Sequence, residues 1–454
     1  MRGCISRRYQ KKSETVIINI SVMNKTMLIL SSALLLILPC RSSVAQETPQ
    51  VQREVPGMLT LGQCLEMAVD NYPMIRQKGL IDASEKYDLS IAASSWIPQF
   101  SVSGKAAWQS EVVEMPFEIP GFDLKMKHDQ YSVTGNLTQH LWDGGESSSK
   151  KEAVKTGAQV QRKQLEVTLY SVRSRVLNVY LGILLIDGQL KQNALHLEGL
   201  QRNRDDVMAM IDNGLAYRSD LDMIDVNILD SRQQSDALNA DRASYVRMLG
   251  LLLGTDVSGC RLEIPAADVL MDNSSILRPE LDLYAAQLLQ NEARMRQLNA
   301  RINPQLDLSL QGGFGRPGLN MLKNSFEPMF IAGLKLQWNI GAFYTRKNDK
   351  RKIDSDRKNI ELQRETFLFN TKLDAEQEQT AVEKARMLLE KDERIIELRT
   401  SVRQAGEEQY RNGTLGMNDL MDRIDQEHNA RLARSVHHIQ LLMAVYDLKN
   451  TLGQ

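Results

Sequence analysis

The sequence predicts a mainly α-helical protein with a small β part, built from two copies of one structural unit. Residues 121–264 and 329–454 contain no proline, which is poorly tolerated inside helices, so both tracts favour long helices. Between Leu165 and Leu190 apolar residues recur at alternating spacings of four and three, which is typical of a coiled coil. Motifs also recur along the chain at two nearly equal offsets.

The repeat covers most of the chain. Residues 95–103 resemble residues 301–309 at an offset of 206, and further along Asn213-Gly214 matches Asn412-Gly413 at an offset of 199. Self-similarity of this kind indicates a repeated architecture. We therefore predict a first repeat at 46–256, a spacer at 257–275 and a second repeat at 276–454.

The N-terminal residues 1–45 have the pattern of a secretory signal peptide. Lys25 precedes the apolar run 27–38, which is too short to span a membrane, and small residues lead to a cleavage site after Ala45. Translation is expected to start at Met23. The alternative is a lipoprotein acylated on Cys40, which is disfavoured by the proline just before it.

Net charge and cysteine content restrict the possible binding partners and disulfides of the protein. The full chain has a formal net charge of −1, and removal of a segment with seven basic and one acidic residue leaves −7. A nucleic-acid partner is disfavoured because no basic excess exists to neutralise phosphates. Cys64 and Cys260 lie outside any CxxC pair; a disulfide between them stays possible, although two free thiols are favoured.

Each repeat has the same internal order. Pro73 and Pro279 each begin a predicted helix of about 25 residues, since proline suits the first helical turn. Apolar and polar residues then alternate, which indicates strands with one apolar and one polar face. The predicted strands cover about 99–110, 129–142, 305–315 and 329–340.

Long helical hairpins follow the strands, at 145–254 in the first repeat and 343–453 in the second. The Asn213-Gly214 and Asn412-Gly413 dipeptides are the predicted turns. A soluble coiled-coil rod explains the helices but not the strands, because an isolated two-stranded hairpin is marginal in water. Secretion together with alternation predicts strands that face lipid on one side, in a barrel closed by several chains.

An ordered set of short motifs, present in both repeats, resembles the TolC-type outer-membrane efflux protein family. These are Leu59-Thr60-Leu61 with Ala68 and Asn71-x-Pro73, Pro98-Gln99, Trp142-Asp143-Gly144-Gly145, Arg278-Pro279-Glu280-Leu281, Asn303-Pro304-Gln305, Asn412-Gly413 and Leu452-Gly453. The resemblance implies a homotrimer with a 12-stranded transmembrane β-barrel and a periplasmic α-helical tunnel. It also implies a periplasmic adaptor protein and an inner-membrane pump as partners.

The resemblance assigns residues at the tunnel tip. Asp419 and Asp422 would form acidic rings at the mouth, and Tyr410 and Asp220 would belong to links that hold it closed. Leu415 departs from the family pattern, which has an arginine there, so Arg411 and Arg218 are candidate substitutes. A helix N-cap is the alternative role for Asp419.

The predicted function is the exit duct of a tripartite efflux or type I secretion system in the cell outer membrane. The alternative is a periplasmic coiled-coil adaptor protein, although adaptors do not repeat their whole layout. No nucleophile, base or metal constellation supports an enzyme, so no catalytic residue, metal or cofactor is assigned. The exported substrate and the pump class stay open.

Overall fold

The computed structural model of the protein describes residues 57–112, 127–267, 275–320, 323 and 325–454. The predicted signal peptide, Cys40 and most of the loop between the first two predicted strands lie outside the described residues. The described chain is mostly helical with a minor sheet part, as the sequence predicts.

Apart from one additional short helix in the first half, the described helices and strands follow the same order in the two halves of the chain. The helices are α1 (Leu61–Asn71), α2 (Gln77–Ser94), α3 (Glu146–Asp212), α4 (Arg218–Leu253), α5 (Pro279–Ala300), α6 (Ala342–Arg411) and α7 (Met417–Leu452). The strands are β1 (Met58–Leu59), β2 (Gln99–Trp108), β3 (Asp129–Trp142), β4 (Arg261–Leu262), β5 (Gln305–Arg316) and β6 (Glu327–Gln337).

The first short helices differ from the prediction. α1 begins at a capping box, in which Thr60 and Gln63 exchange side-chain and backbone hydrogen bonds, and this helix was not predicted. The helical segment begins at Pro73 as predicted, but its first turn, Pro73–Arg76, is 3₁₀, and the α-helical part, α2, starts at Gln77. In the second half, α5 begins at Pro279 as predicted and has 22 residues.

The four longer strands form one antiparallel sheet in the order β2-β3-β5-β6. β6 stops at Gln337, three residues before the predicted end at 340, because its partner in β5 is Gln305, the first residue after Pro304. Proline has no N–H to continue a ladder. A bulge at Leu141 interrupts the pairing of β3 with β5.

α3 is the central helix of the fold. It packs against α4 and α7, and α7 packs in turn against α6. Towards the sheet, α2 packs on α3, while α5 lies between α3 and α6. Most residues of the predicted 4-3 seam are buried, among them Leu165, Val172, Val176 and Ile183.

The largest core cluster joins α3 to the segments at its side. Tyr180 of α3 is fully buried, and its hydroxyl lies 2.9 Å from the carbonyl oxygen of Leu59 and 2.6 Å from that of Glu263. It therefore holds the short parallel pair of β1 and β4 against the middle of the long helix. Cys64 and Cys260 belong to this cluster and are both free thiols.

Candidate functional site

The sheet has two chemically different faces. The register places apolar side chains of all four strands on one face, and many of them are exposed, with Phe100 at 70% and Phe330 at 67%. Further members of this face are Val102, Val133, Leu137, Leu308, Leu310, Leu334 and Leu336. An exposed, continuous apolar face of this kind marks a surface that meets lipid or another protein.

Aromatic side chains lie at both ends of this apolar face. Trp108, Tyr131 and Phe314 are exposed at the loop end, and Trp142 and Trp338 are exposed at the end that joins the helices. Tyrosine and tryptophan are enriched where a protein crosses between lipid and water. Such a distribution is typical of sheets that cross from lipid to water.

The opposite face is polar. Ser103, Thr134 and Asn136 lie on it and form a small hydrogen-bond network, in which the Ser103 and Thr134 hydroxyls are 2.8 Å apart. Lys105 and Lys335 also belong to this face by the alternation of the strands.

At the helix end of this polar face, the buried carboxylate of Asp307 contacts the Nδ1 atom of His140 at 2.5 Å. The two residues are direct cross-strand partners in β3 and β5. A charged group in the sheet is thus paired within the chain at this point.

Far from the sheet, each long hairpin turns at its Asn-Gly dipeptide. Gly214 and Gly413 have φ values of 76° and 71°, the left-handed region that glycine adopts readily. Asn213 donates its side-chain amide to the Ala209 carbonyl oxygen at 2.7 Å. An apolar cluster from both hairpins, including Leu200, Ile224, Tyr410, Leu420 and Ile424, packs beside these turns.

Tyr410 and Asp220 are brought together at the tip. The Tyr410 hydroxyl donates to Asp220 Oδ2 at 3.2 Å, and the same carboxylate accepts the backbone N–H of Tyr217 at the start of α4. Burial, with the negative charge of Asp220 second, raises the pKa of Tyr410 to about 12. The hydroxyl therefore keeps its proton, and the contact joins the first hairpin to the second.

Asp419 and Asp422 both lie on the exposed face of α7 near its start. The N-cap of α7 is Gly416, so the alternative role of Asp419 as an N-cap is wrong. Their separation of three residues puts the two carboxylates on the same side of the helix. The pair can therefore present two negative charges in one direction.

The position of the missing arginine is apolar. Leu415 packs against the tip cluster. Of the two candidate substitutes, Arg411 forms ion pairs with Asp206 at 3.0 Å and Glu408 at 3.2 Å. The Arg411–Asp206 pair joins α6 to α3. A charged contact between the two hairpins is therefore present four residues before Leu415.

A layer of buried polar residues lies just above the tip cluster. The Glu427 carboxylate, 5% exposed, accepts hydrogen bonds from Arg403, Arg431 and Thr400. Burial alone would raise the pKa of Glu427, but these three donors outweigh it and hold the pKa below its usual value. Between α3 and α4, the Ser231 hydroxyl donates to Asn193 Oδ1 at 2.6 Å, and the Asn193 amide donates to the Ser231 carbonyl oxygen at 2.6 Å.

Two histidines stack in this layer. The rings of His196 in α3 and His428 in α7 lie 4.1 Å apart, at 23° to each other, and His196 Nε2 is 3.8 Å from Asp425 Oδ1. They line a cleft of about 510 Å³ between the hairpins. Sequence spacing could not find this pair, because its members come from different repeats. In the described ranges, no three His, Cys, Asp or Glu side chains converge as metal ligands.

Burial of the stack makes this contact sensitive to pH. Burial, helped by the neighbouring His196 ring, lowers the pKa of His428 to about 4, and burial also lowers that of His196. A histidine with a depressed folded pKa binds protons more weakly than it does in the unfolded chain. The neutral stack therefore stabilises the folded protein fully at pH values above the unfolded pKa near 6.5. This stabilisation is lost as the pH falls from 6.5 towards the folded pKa of about 4.

We therefore expect amide hydrogens of residues 190–200 and 424–432 to lose protection between pH 7 and pH 5, after correction for intrinsic exchange rates. Hydrogen-exchange mass spectrometry measures this. The His196→Gln/His428→Gln double variant should lose this pH dependence, whereas His438→Gln, outside the stack, should retain it. An unchanged pH dependence in the double variant would contradict the assignment.

The sequence matches no protein-family model and no curated protein. The structure, however, is similar to solved outer-membrane channels. It matches the outer-membrane channel OprN with a TM-score of 0.65 and 16% identity, covering 87% of this chain and 89% of that chain. It matches the Campylobacter jejuni CmeC outer membrane channel with a TM-score of 0.62 and 15% identity, covering 87% and 85%.

A third match is the outer membrane protein VceC of Vibrio cholerae, with a TM-score of 0.63 and 12% identity, covering 87% of this chain and 96% of that chain. The chain therefore has the fold of TolC-type outer-membrane channels, as the sequence motifs predict. The match extends over both repeats, because 87% of this chain is covered.

Proposed function

We propose that this protein is the outer-membrane channel of a tripartite efflux or type I secretion system. Three copies would close a 12-stranded barrel in the outer membrane, continued by a helical tunnel in the periplasm. The observation that carries the proposal is the two-faced sheet, apolar outside and polar inside, attached to long helical hairpins in a TolC-type fold. The channel would conduct passively, and an inner-membrane pump would supply the energy.

The dimensions of the apolar face support insertion in a bilayer. Phe100 and Trp108 mark its two ends on β2, and eight steps of about 3.4 Å give about 27 Å along the strand. With a strand tilt of about 40°, the apolar band is about 20 Å tall, close to the ~25 Å of known barrels. The aromatic residues at both ends fit the two interfaces.

The unpaired edges of the sheet support assembly of several copies. β2 and β6 are its two edges, and exposed edges invite pairing with another chain. About eight strands are needed to close even a filled barrel, so four strands cannot enclose a lumen alone. Three copies supply twelve strands.

The helices point to the same assembly through the internal repeat. α5 fits between α3 of the first repeat and α6 of its own, and contacts α3 through the Asp282–Lys163 and Arg296–Glu152 ion pairs. Among the described helices, the equivalent helix α2 packs mainly against its own α3, without a second long helix on its other side. Its free face would then pack against α6 of a neighbouring copy.

The exposed residues have the composition that this arrangement requires. On α2, Leu80 and Tyr87 are 70% and 66% exposed, although their equivalents at an offset of 206, Ala286 and Ala293, are buried. On α6, Phe369 is 62% exposed, and Leu362 is exposed with it. An offset of 199 relates these two residues to Lys163 and Tyr170, which face α5 and the segment before it.

Asp419 and Asp422 are the proposed acidic rings of the tunnel mouth, with Tyr410–Asp220 as a link that keeps it closed. Three copies would bring six carboxylates to one constriction, which attracts cations and repels anions. The exposure of both aspartates and their common helix face support this role. The Arg411–Asp206 ion pair would form the charged link, because Leu415 has no charge with which to form it.

Replacing both aspartates tests the mouth. In Asp419→Ala/Asp422→Ala we expect loss of much of the cation preference and of block by multivalent cations. Single-channel recording in planar bilayers measures both. Asp222→Ala, which removes one exposed carboxylate near the start of the equivalent helix of the first repeat, is the control. Unchanged selectivity in the double variant would contradict the pore-lining role.

Assembly with a periplasmic adaptor and an inner-membrane pump is proposed from the fold and from the notable length of the hairpins. The second candidate, a periplasmic adaptor protein, is not favoured, because the similar structures are outer-membrane channels. Membrane fractionation followed by denaturing gels at two temperatures tests the proposal. A heat-sensitive trimer in the outer membrane is expected, and a monomer released by high salt would refute the channel.

A further inference from the structure

The internal repeat predicts how the strand edges of neighbouring copies meet, and this inference rests on the proposed trimeric barrel. Within the chain, β3 pairs with β5 across the junction between the two repeats. In a closed barrel, β6 would pair with β2 of the next copy at the equivalent junction. The register of the first junction therefore serves as a template for the second.

Residue equivalences follow from the two hairpins. In the first, Gln99 pairs with Thr138, and in the second, Gln305 pairs with Gln337. Since Gln305 is equivalent to Gln99 at an offset of 206, Gln337 is equivalent to Thr138 at an offset of 199. The second offset is the one that also relates the two Asn-Gly turns.

Applied to the junction, these offsets bring two lysines together. In the junction within the chain, Asn136 pairs with Gln311. The offset of 199 relates Asn136 to Lys335, and the offset of 206 relates Gln311 to Lys105, so Lys335 would lie opposite Lys105 of the next copy. Both lysines lie on the polar face of their strands, so both side chains would enter the lumen. Residues directly opposite on antiparallel strands have Cβ atoms only about 5 Å apart, and like charges there repel.

Little in the chain neutralises this pair. Asp307 is the cross-strand partner of Lys335, but its carboxylate is buried against His140. The other acidic residue of the polar face in the described strands is Glu327, eight residues along β6, about 27 Å away. At the equivalent junction within the chain, the Asn136 and Gln311 side chains carry no charge.

We propose that Lys335 and Lys105 of adjoining copies form a ring of six ammonium groups in the barrel lumen, and that this ring binds anionic groups of passing solutes. Carboxylates, phosphates and sulfates share the chemistry that such a ring recognises. The ring would oppose the acidic mouth at the other end of the tunnel. The barrel and the mouth would thus select for opposite charges.

Cysteine cross-linking tests the register. The chain with Cys64→Ala and Cys260→Ala serves as the background, and Lys105→Cys with Lys335→Cys is added. Oxidation is expected to link copies covalently, whereas Ser101→Cys with Lys335→Cys, four residues out of register, should not link them. Efficient linkage only of the second pair, or a heat-sensitive trimer with neither linkage, would overturn the lysine ring and leave the channel intact. Absence of any trimer would instead refute the channel itself and, with it, this inference.

Electrical recording tests anion binding. Lys105→Gln/Lys335→Gln should lower the chloride-to-potassium permeability ratio by about threefold or more and abolish block by inorganic phosphate or sulfate. Lys78→Gln, a lysine of α2 outside the sheet, should leave both unchanged. Trimers of the double variant with wild-type selectivity and wild-type anion block would overturn the proposal.

Discussion

A carboxylate at both Leu80 and Tyr87 is expected to abolish assembly and leave the protein monomeric. Both side chains are exposed in the isolated chain, so the variant loses no contact within its own fold. In the trimer, both would be buried against α6 of a neighbour, where an unpaired charge costs several kcal/mol. The cost recurs at three interfaces. We therefore expect Leu80→Asp/Tyr87→Asp to convert the protein almost completely from trimer to monomer.

Denaturing gels without heating, and light scattering in detergent, measure this effect. Lys86→Glu is the matched control, since it alters charge beside Tyr87 on an exposed position of the same helix. It should assemble normally. A stable trimer of the double variant would show that α2 does not form the seam between copies.

The second large effect is expected at Glu427. Removing one member of a buried, hydrogen-bonded charge cluster typically costs about 3–5 kcal/mol, because the remaining charges are left unpaired. In Glu427→Ala, Arg403 and Arg431 would lose their shared acceptor between α6 and α7. Protection of amide hydrogens near Thr400 and Glu427 should fall by about two to four powers of ten.

Hydrogen-exchange mass spectrometry measures this loss directly. Glu393→Ala is the control, since Glu393 pairs with Arg434 at 2.6 Å on the surface and is mostly exposed. Such surface pairs contribute about 0–1 kcal/mol. Equal losses in the two variants would mean that the Glu427 cluster is not energetically special.

The helices and strands could be predicted from the sequence where the spacing of apolar residues was regular. The 4-3 spacing from Leu165 to Leu190 predicted α3 because a buried stripe requires that period, whatever its partners are. Alternation predicted the strands for the same reason. The ends of the strands were harder to predict. β6 stops at Gln337 because the partner strand has a proline just before Gln305, and this cause is not visible in the sequence of β6 itself.

The features that were missed depend on contacts between distant parts of the chain. The capping box of Thr60 and Gln63 was a local signal and could have predicted α1. The His196–His428 stack and the Glu427 cluster could not have been found, because each depends on which helix faces which. Tyr410 and Asp220 were paired through the family resemblance, and the structure brings them into contact.

Unequal helix lengths have a consequence for the shape of the passage. α3 has 67 residues but its hairpin partner α4 has only 36, and α6 and α7 differ in the same way, with 70 and 36. The part of each long helix without its hairpin partner is accompanied by a short helix, α2 or α5. Each repeat thus presents two helices side by side at either level. Three copies would place twelve helices side by side at both levels, at about 10 Å each, so the circumference of the tunnel would be about 120 Å at both levels.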